Sequence, residues 1–461
     1  MEIEKLGKPA VMIDAKPFFS DSKSSVVGVG MPDLQIIALS VAATGGLPAQ
    51  DLERVAKESV KEVIDALTKA VPTVKVAAAP AKPKAAQVLS FTGKDSTEAA
   101  ENMEKFFLSN RYSDGLPAVP PTKEAVEAML KGTTLPRDQV VGMVDPRKGI
   151  ATVEKIAINA VMAGCRPAYM PLLITVVQAL IDPAFDLYGV QCTGGLTAPL
   201  IFVSGPIIKD LNLNFSYSTA GPGWRANSTI GRAMRLILIN LGQAWPGVND
   251  MKDVGNPAKF GIVIAENEVQ TPSGWSTLRE REGFSKDASI VSVYASQSFR
   301  QIIKHSVKPY LEQETPDQMK TALNAIAAQW GKEMVFVFSP ANAEILAKNG
   351  YTPAVIQREL YERGRVSRKE FGPRPLGATG VASGVPKWID DLPDDGLVPV
   401  VPKPEDIKIL VAGGKGPGAS FMIDRWGFGQ SYFVSKEIKL PPNWKDLVTE
   451  LQGWETPIEV K

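Results

Sequence analysis

The stretch Gly221-Pro-Gly-Trp-Arg-Ala-Asn-Ser-Thr-Ile-Gly-Arg-Ala-Met-Arg-Leu-Ile-Leu-Ile-Asn-Leu-Gly242 joins a glycine turn to an amphipathic helix. Asn227 is the predicted N-cap, because its side chain can accept a hydrogen bond from an unpaired first-turn amide. Apolar residues then recur at helical spacing on one face: Ile230, Met234, Ile237, Leu238 and Leu241. The pattern predicts a turn followed by a helix with one buried face.

Polar residues occupy the opposite side of this predicted helix: Arg225, Ser228, Arg232 and Arg235. Three arginines, free amides at a helix start and the turn glycines Gly221 and Gly223 are together typical of an anion-binding site. The alternative is that the arginines are solvated or paired with acids and that the turn only reverses the chain. The stretch lacks the Gly-Lys-Ser/Thr ending of a phosphate loop and the spacing of a dinucleotide fingerprint. It therefore predicts an anion as ligand without naming it.

Bulk composition bounds the class of protein. The 461 residues are enough for two or three domains with a large core. With 51 Lys+Arg against 50 Asp+Glu, the charge balance argues against a nucleic-acid binder that relies on a generally basic surface. The first residues lack a signal-peptide pattern, and the longest apolar run, Pro171 to Ile181, is too short to span a bilayer. We expect a cytoplasmic protein with no nucleic-acid or membrane partner.

Domain organisation follows from changes in composition. Residues 1–70 predict a small α/β unit, with a strand at Ser25–Gly30 and a helix at Ala49–Ala70. Residues 71–91 are rich in Ala, Pro and Lys and predict an extended linker. Residues 92–390 are the predicted main α/β domain, and residues 391–461 a C-terminal α/β segment that packs on it.

The main domain alternates predicted helices with short apolar runs that read as strands: Pro199–Gly205, Phe260–Glu268, Ser289–Tyr294, Glu333–Ser339 and Asp406–Gly414. This alternation predicts an α/β fold with a mostly parallel or mixed sheet flanked by helices. The last run ends in a glycine-rich exit, Gly413 to Gly418. Its amides and Lys415 could hold an anion, or the segment is a plain surface loop.

Two glutamates mark the end of one of these strands. Glu266 and Glu268 are two residues apart, so both side chains point to the same face if the strand continues. A carboxylate pair can share a proton, serve as acid and base, or hold a hard cation. Strand ends are also where open α/β sheets place their ligands. The alternative is two solvated acids, or acids that neutralise Arg232 or Arg235.

Thiol and imidazole chemistry is limited by residue counts. The chain has two cysteines, Cys165 and Cys192, so disulfides are not the basis of its stability. Cys165 follows a predicted helix end, next to Arg166, and is the better nucleophile or redox candidate, unless it is a buried inert thiol. A single histidine, His305, excludes a zinc site built on several histidines of one chain. No metal site and no particular cofactor is predicted.

Several phrases carry a family resemblance: Asp114-Gly-Leu-Pro-Ala-Val-Pro-Pro-Thr122, Ala151-Thr-Val-Glu-Lys-Ile-Ala-Ile-Asn-Ala-Val-Met-Ala-Gly-Cys165, Arg225-Ala-Asn-Ser-Thr-Ile-Gly-Arg232 and Ala265-Glu-Asn-Glu268. Through them the chain resembles the poorly characterised proteins grouped with the UGSC (seleno)protein family. That family is named for a selenocysteine- or cysteine-Gly-Ser-Cys motif, which implies redox chemistry. This chain has Met31-Pro-Asp-Leu34 after Gly30, with no thiol. The resemblance therefore implies an enzyme or enzyme subunit, with the motif lost or supplied by a thiol-bearing partner subunit.

Two functional hypotheses follow. The first is an enzyme or enzyme subunit acting on a small anionic metabolite by redox or lyase chemistry, in a homo- or hetero-oligomer. Its anion site would contain Gly221, Gly223, Arg225, Asn227, Ser228, Arg232 and Arg235. Its catalytic groups would be Cys165, Glu266 and Glu268. The alternative is a non-catalytic docking subunit of an oligomeric assembly.

Overall fold

The structure is a computed structural model of the chain. It describes residues 8–28, 33–41, 48–68, 88–252, 254–302, 311, 315–321, 333–371, 386–416, 419–426 and 431–454. Most of the predicted linker and His305 lie outside the described residues.

The N-terminal unit contains two parallel strands and two helices. It comprises β1 (Val11–Ala15), α1 (Phe19–Gly28), β2 (Gln35–Leu39) and α2 (Ala49–Thr68). Val11 lies opposite Gln35 in a parallel pairing, with α1 as the connection between the strands. The strand predicted at Ser25–Gly30 is wrong, because its first four residues form the end of α1. A short apolar run is compatible with a helix or with a strand. In this unit the two segments that pair as strands are β1 and β2, and the run at Ser25 belongs to the helix between them.

The remaining helices surround a central sheet. They are α3 (Ser96–Ser109), α4 (Lys123–Leu130), α5 (Val153–Ala163), α6 (Met170–Leu180), α7 (Leu187–Cys192), α8 (Ile207–Asp210), α9 (Arg225–Asn240), α10 (Leu278–Arg281), α11 (Thr315–Thr321), α12 (Pro340–Lys348), α13 (Pro353–Arg363), α14 (Arg368–Phe371) and α15 (Trp444–Trp454). The strands are β3 (Val140–Val144), β4 (Gly149–Thr152), β5 (Ala198–Ser204), β6 (Val263–Ala265), β7 (Ile290–Ile302), β8 (Met334–Phe338), β9 (Arg365–Ser367), β10 (Leu397–Pro399), β11 (Ile407–Val411), β12 (Ser420–Arg425) and β13 (Val434–Glu437).

The central sheet has the strand order β11-β8-β12-β7-β5-β6, and β13 also pairs with β7. The β5–β6 and β8–β11 pairs are parallel, and the others are antiparallel. A mixed sheet flanked by helices confirms the predicted fold class. The predicted separate segment 391–461 is wrong in one respect: it supplies β11, β12 and β13 to this sheet. Their backbone hydrogen bonds make them part of the same layer, not a unit packed upon it.

The two edges of the sheet meet each other. The amide of Asn267, just after β6, donates to the carbonyl of Val411 in β11 at 2.6 Å. Its side chain donates to the carbonyl of Gly413 at 2.9 Å. The sheet is therefore curled, and alternate strand residues fill its inner face: Leu200, Phe202, Ile264, Tyr294, Val335, Val337, Leu410 and Ile423. The outer face is covered by helices, α5, α6 and α9 on one side and α13 on the other.

Helix α9 contains the buried face that its sequence predicts. Ile230, Met234, Ile237 and Leu238 are at most 1% exposed and pack in the core with α5 and α6. The predicted N-cap is wrong, because the helix begins two residues before Asn227, with Trp224 in the N-cap position. Asn227 lies in the first turn of the helix instead, and its side chain forms hydrogen bonds with other segments.

In the described part of the chain, no single helix is both long and apolar enough to cross a membrane. The segments Pro167–Leu180 and Pro183–Cys192 meet that test of length and composition only as a pair, with a 66° bend between them. In α6 nearly every residue is buried within the protein.

Candidate functional site

A cavity of about 410 Å³ lies where the curled sheet meets two glycine-containing loops. One wall is the loop Tyr217–Gly221, which directly precedes the glycine turn of α9. The other contains Gly413, Gly414 and Gly416, after β11. The floor is apolar and comes from the inner face of the sheet: Ile264, Val337, Ala412 and Phe421. This volume falls in the range of small-molecule sites.

Hydrogen bonds from α9 hold the first wall in place. Asn227 is 3% exposed, and its Oδ1 accepts from the amide of Asn214 at 2.7 Å. Its Nδ2 donates to the carbonyls of Asn214 at 3.1 Å and Val263 at 3.2 Å. The Thr219 hydroxyl donates to the same Asn214 carbonyl at 2.6 Å. The predicted ligand residue Asn227 thus positions the cavity loop from behind and does not face the cavity.

The glycines of the second wall allow the two loops to approach closely. A Cβ atom on Gly414 would collide with the ring of Tyr217, so only glycine lets that ring lie against the backbone. Gly413 has a φ of 99°, a conformation that favours glycine. Its amide donates to the carbonyl of Phe215 at 2.9 Å, which joins the two walls. A Cβ on Gly416 would make only an ordinary contact at 3.7 Å.

The polar groups of the cavity favour a ligand with an acceptor end. Its polar side chains are hydroxyls, from Tyr217, Ser218, Thr219 and Ser339. Ser339 is the N-cap of α12, and helix starts favour negative charge. Lys415 is exposed between two lining glycines. Among the described residues that line the cavity none carries a charge, so no carboxylate there would repel an anion.

Of the turn glycines predicted for the anion site, one reaches this cavity. Gly221 lines it, and its amide donates to the carbonyl of Ser218 at 2.7 Å. Gly223 is exposed with a φ of 122°, so it serves the turn. Ser228 is exposed on α9 and is not among the lining residues.

Arg225 lies near the C-terminal helix α15. Its Nη1 donates to the carbonyl of Gly164 at 3.1 Å. Its guanidinium carbon is 4.3 Å from the ring centre of Trp454, and that of Arg166 is 3.1 Å from the same ring. These are cation–π contacts. Arg225 thus contributes to the attachment of α15.

Arg232 is paired with an acid far away in the sequence. Its Nε and Nη2 donate to the two carboxylate oxygens of Asp114 at 2.8 and 2.9 Å, and Nη2 also donates to the carbonyl of Leu116 at 3.0 Å. Such bidentate pairs are strong and geometrically specific. The predicted pairing of an α9 arginine with an acid occurs, but with Asp114 instead of Glu266 or Glu268.

Arg235 is buried, although its position predicts a polar face. It is 6% exposed, and its Nε donates to the carbonyl of Lys259 at 2.7 Å. Burial lowers the pKa of Arg235 to about 10. A segment that includes Lys259 covers this side of α9, so helical phase alone placed the residue wrongly. Arg225, Arg232 and Arg235 therefore reach three different partners and do not converge on one anion.

Glu266 and Glu268 do converge, on the hydroxyl of Ser204. That hydroxyl is 2.5 Å from Glu266 Oε2 and 3.2 Å from Glu268 Oε1. Ser204 ends β5, and the glutamates follow its parallel neighbour β6. The predicted carboxylate pair is present. We call Ser204, Glu266, Glu268 and Arg279 the carboxylate cluster.

Protein donors satisfy this cluster closely. The amide of Leu278, at the start of α10, donates to both oxygens of Glu266, at 2.9 and 3.1 Å. Glu268 accepts from the amide of Gly205 at 2.6 Å and pairs with Arg279. Burial raises the pKa of Glu266 to about 7, although Arg281 acts against it. None of these residues lines the cavity.

The Cys165 thiol is close to the arginines but poorly suited to nucleophilic chemistry. It is 7% exposed, and its Sγ donates to the carbonyl of Thr229 at 3.3 Å. Burial raises the pKa of Cys165 to about 12, because desolvation outweighs the favourable fields of Arg225 and Arg232. The thiolate is the reactive form, so this environment corresponds to the inert alternative.

Within the described ranges, no group of three or more His, Cys, Asp or Glu side chains could hold a metal ion. The sequence patterns did not predict that the loop Tyr217–Ala220 and Ser339 line a cavity. The glycines around Lys415 were a usable signal. The contact of their loop with Phe215 and Tyr217 was not visible, because it joins segments about 200 residues apart.

Comparison with known proteins found no matching family model, no matching curated protein and no matching solved structure. The UGSC resemblance therefore stays a prediction.

Proposed function

We propose that this protein binds a small anionic organic molecule in the glycine-walled cavity, as an enzyme or enzyme subunit acting on that molecule. The observation that carries the proposal is the cavity itself, with an apolar floor and two walls of small residues. An apolar pocket with a few polar groups is the usual form of a small-molecule site. Its volume of about 410 Å³ suits a metabolite or a compact cofactor.

The anionic character follows from the groups around the opening. The start of α12 and the exposed Lys415 both favour negative charge. The apolar floor, with Ile264 and Phe421, would contact the carbon skeleton. A ligand with its carbon body on the sheet and its anionic group towards Lys415 fits both features.

The lining residues restrict what chemistry the cavity can supply by itself. Hydroxyl groups can orient a ligand by hydrogen bonds, but they are weak acids and bases near neutral pH. Cys165, Glu266 and Glu268 do not line the cavity and have no role in this proposal. The reaction class, redox or lyase, stays a prediction.

Native mass spectrometry of the full chain, purified from its own host, tests the proposal. We expect a retained small molecule on the wild-type protein and its loss in Gly416→Leu, whose side chain would fill the cavity. Gly453→Leu is the matched control, because Gly453 lies on α15 with open space around its Cβ position. A molecule retained equally by both variants, or none on the wild type, would contradict the proposal.

A second variant tests the charge of the ligand. Lys415→Gln should weaken binding of the identified molecule by about tenfold, the value of one charge-assisted hydrogen bond. Lys445→Gln, an exposed lysine of α15, is the control and should have no effect. If the wild type is empty and is purified only with a thiol-bearing partner, the docking-subunit hypothesis takes its place.

A further inference from the structure

A second charged group of residues lies beside α9, separate from the cavity. Lys252 and Lys259 contact the carboxylate of Asp250, and Arg235 contacts the backbone of Lys259. We call these four residues the cation cluster. The Nζ of Lys252 is 3.3 Å from Asp250 Oδ1, and the Nζ of Lys259 contacts Asp250 Oδ2. The backbone carbonyl of Lys259 accepts from Arg235 Nε at 2.7 Å, which places all three cations together.

The cluster is buried, and its charges do not balance. Arg235 is 6% exposed, and the side chains of Lys252 and Asp250 are 1% and 7% exposed. Asp250 bonds to both lysines, whereas no carboxylate in the described part of the chain bonds to Arg235. Asp114 also acts on Arg235 through space, but both of its oxygens are bonded to Arg232. Among the described residues, the cations of the cluster therefore outnumber the carboxylate that bonds to them, which is costly inside a protein.

One donor in the cluster also lacks an acceptor. Arg235 Nη2 is buried and has no hydrogen-bond partner among the residues that the structure describes. Lys252 is better satisfied, because its Nζ also donates to the carbonyls of Val190 at 2.9 Å and Gln191 at 3.2 Å. A charged donor that is buried without an acceptor is destabilising, since its desolvation is uncompensated.

Two processes could remove the surplus charge: a lysine could lose its proton, or an anion could enter. Burial and the neighbouring Arg235 lower the pKa of both lysines, whereas the Asp250 carboxylate in contact with them favours their charged form. Proton loss would still leave Arg235 Nη2 without an acceptor. An oxyanion balances the charge and supplies that acceptor at the same time.

We propose that the cation cluster is a binding site for a small oxyanion of the phosphate or sulfate class, held by Arg235 Nη2 and Lys259 Nζ. Planar guanidinium groups suit oxyanions because they donate in a fixed geometry. Access is through Lys259, whose side chain is 17% exposed and whose neighbour Phe260 is 73% exposed. This site is independent of the glycine-walled cavity and of the function proposed for it.

Calorimetric titration of the full chain with inorganic phosphate, at constant ionic strength set by chloride, tests this proposal. We expect saturable binding by the wild type and about tenfold weaker binding by Lys259→Gln, which loses one charge-assisted hydrogen bond. Lys436→Gln is the matched control, because Lys436 is also partly buried and paired with a single aspartate, Asp182. Its affinity for phosphate should equal that of the wild type.

Arg235→Lys provides a second test that keeps the positive charge and removes the planar donor. It should also weaken phosphate binding, while circular dichroism confirms that it folds. Absence of saturable binding in the wild type, or equal affinity in Lys259→Gln, would overturn the proposal. Gly416→Leu separates the two sites: unchanged phosphate affinity supports the cation cluster, whereas lost affinity would place phosphate in the cavity and overturn it.

Discussion

The carboxylate cluster and the cation cluster are both buried and charged, but they are satisfied to different degrees. Glu266 and Glu268 accept from two backbone amides, a hydroxyl and an arginine. In the cation cluster Asp250 bonds to two lysines, and Arg235 Nη2 has no acceptor among the described residues. A closed polar network of the first kind is structural, since every group already has a partner. An incomplete network of the second kind leaves a donor for a further partner, and the proposed oxyanion would be that partner.

The largest effect on stability is expected when one partner is removed from the carboxylate cluster. Arg279→Ala removes the partner of Glu268 and two hydrogen bonds to the carbonyl of Lys286. We expect a loss of about 4 kcal/mol in the free energy of unfolding, measured by urea denaturation, because the half-buried Glu268 carboxylate loses its partner together with both bonds to Lys286. Arg137→Ala is the control: that arginine pairs with Glu127 and Glu154 at the surface and should cost less than about 1 kcal/mol. Similar losses in both variants would show that the carboxylate cluster is not closed.

The pH dependence of stability sharpens the same contrast. Glu266 ionises near 4.5 when unfolded and near 7 when folded, so the folded protein binds more protons between these values. Its contribution is fully present below about pH 4.5 and is lost as the pH rises through about 7. Glu266→Gln should remove this loss, worth about 3 kcal/mol between about pH 5 and about pH 8. Parallel stability profiles of the variant and the wild type, measured by denaturation, would contradict it.

Asp250→Asn tests whether the surplus charge of the cation cluster is real. Without phosphate the variant should lose about 2 kcal/mol, because the lysines lose their bonded carboxylate. Its affinity for inorganic phosphate should increase, since no fixed carboxylate competes with the added anion. Calorimetry and thermal unfolding with and without phosphate measure both effects. Weaker phosphate binding by the variant would exclude an oxyanion next to these lysines.

The smallest change in stability is expected where two arginines contact an aromatic ring. Trp454→Ala removes the contacts of Arg166 and Arg225 with the indole ring. We expect a loss of about 1 kcal/mol, because cation–π contacts at partly exposed sites are weak. Trp388→Ala, another half-exposed tryptophan, provides a control for loss of aromatic area. A much larger effect of Trp454→Ala would mean that α15 depends on this contact alone.

Periodicity along the chain was sufficient for much of the fold. The buried face of α9 and the apolar runs of β5, β7, β8 and β11 were visible in the sequence. Hydrophobic spacing reports which face of an element is buried, because burial dominates folding energetics. The prediction of a strand at Ser25–Gly28 was wrong, since a run of four residues does not distinguish a helix from a strand.

The carboxylate pair could also be predicted, because Glu266 and Glu268 are local in sequence and follow a strong strand pattern. The partners of the arginines could not. Arg232 pairs with Asp114, 118 residues away, and Arg235 is covered by the segment of Lys259. Helical phase states which way a side chain points but not which segment it meets there.

The α/β class, the buried face of α9 and the position of the two glutamates at a strand end can be predicted from the amino-acid sequence, because they depend on short-range spacing and composition. Two features depend on tertiary packing. The sheet curls so that the amide of Asn267 donates to the carbonyl of Val411, and glycine-containing loops from distant segments enclose a cavity. Tertiary packing also determines which charges are satisfied. Desolvation and pairing depend on every segment packed around a group, and that information is not local in the chain.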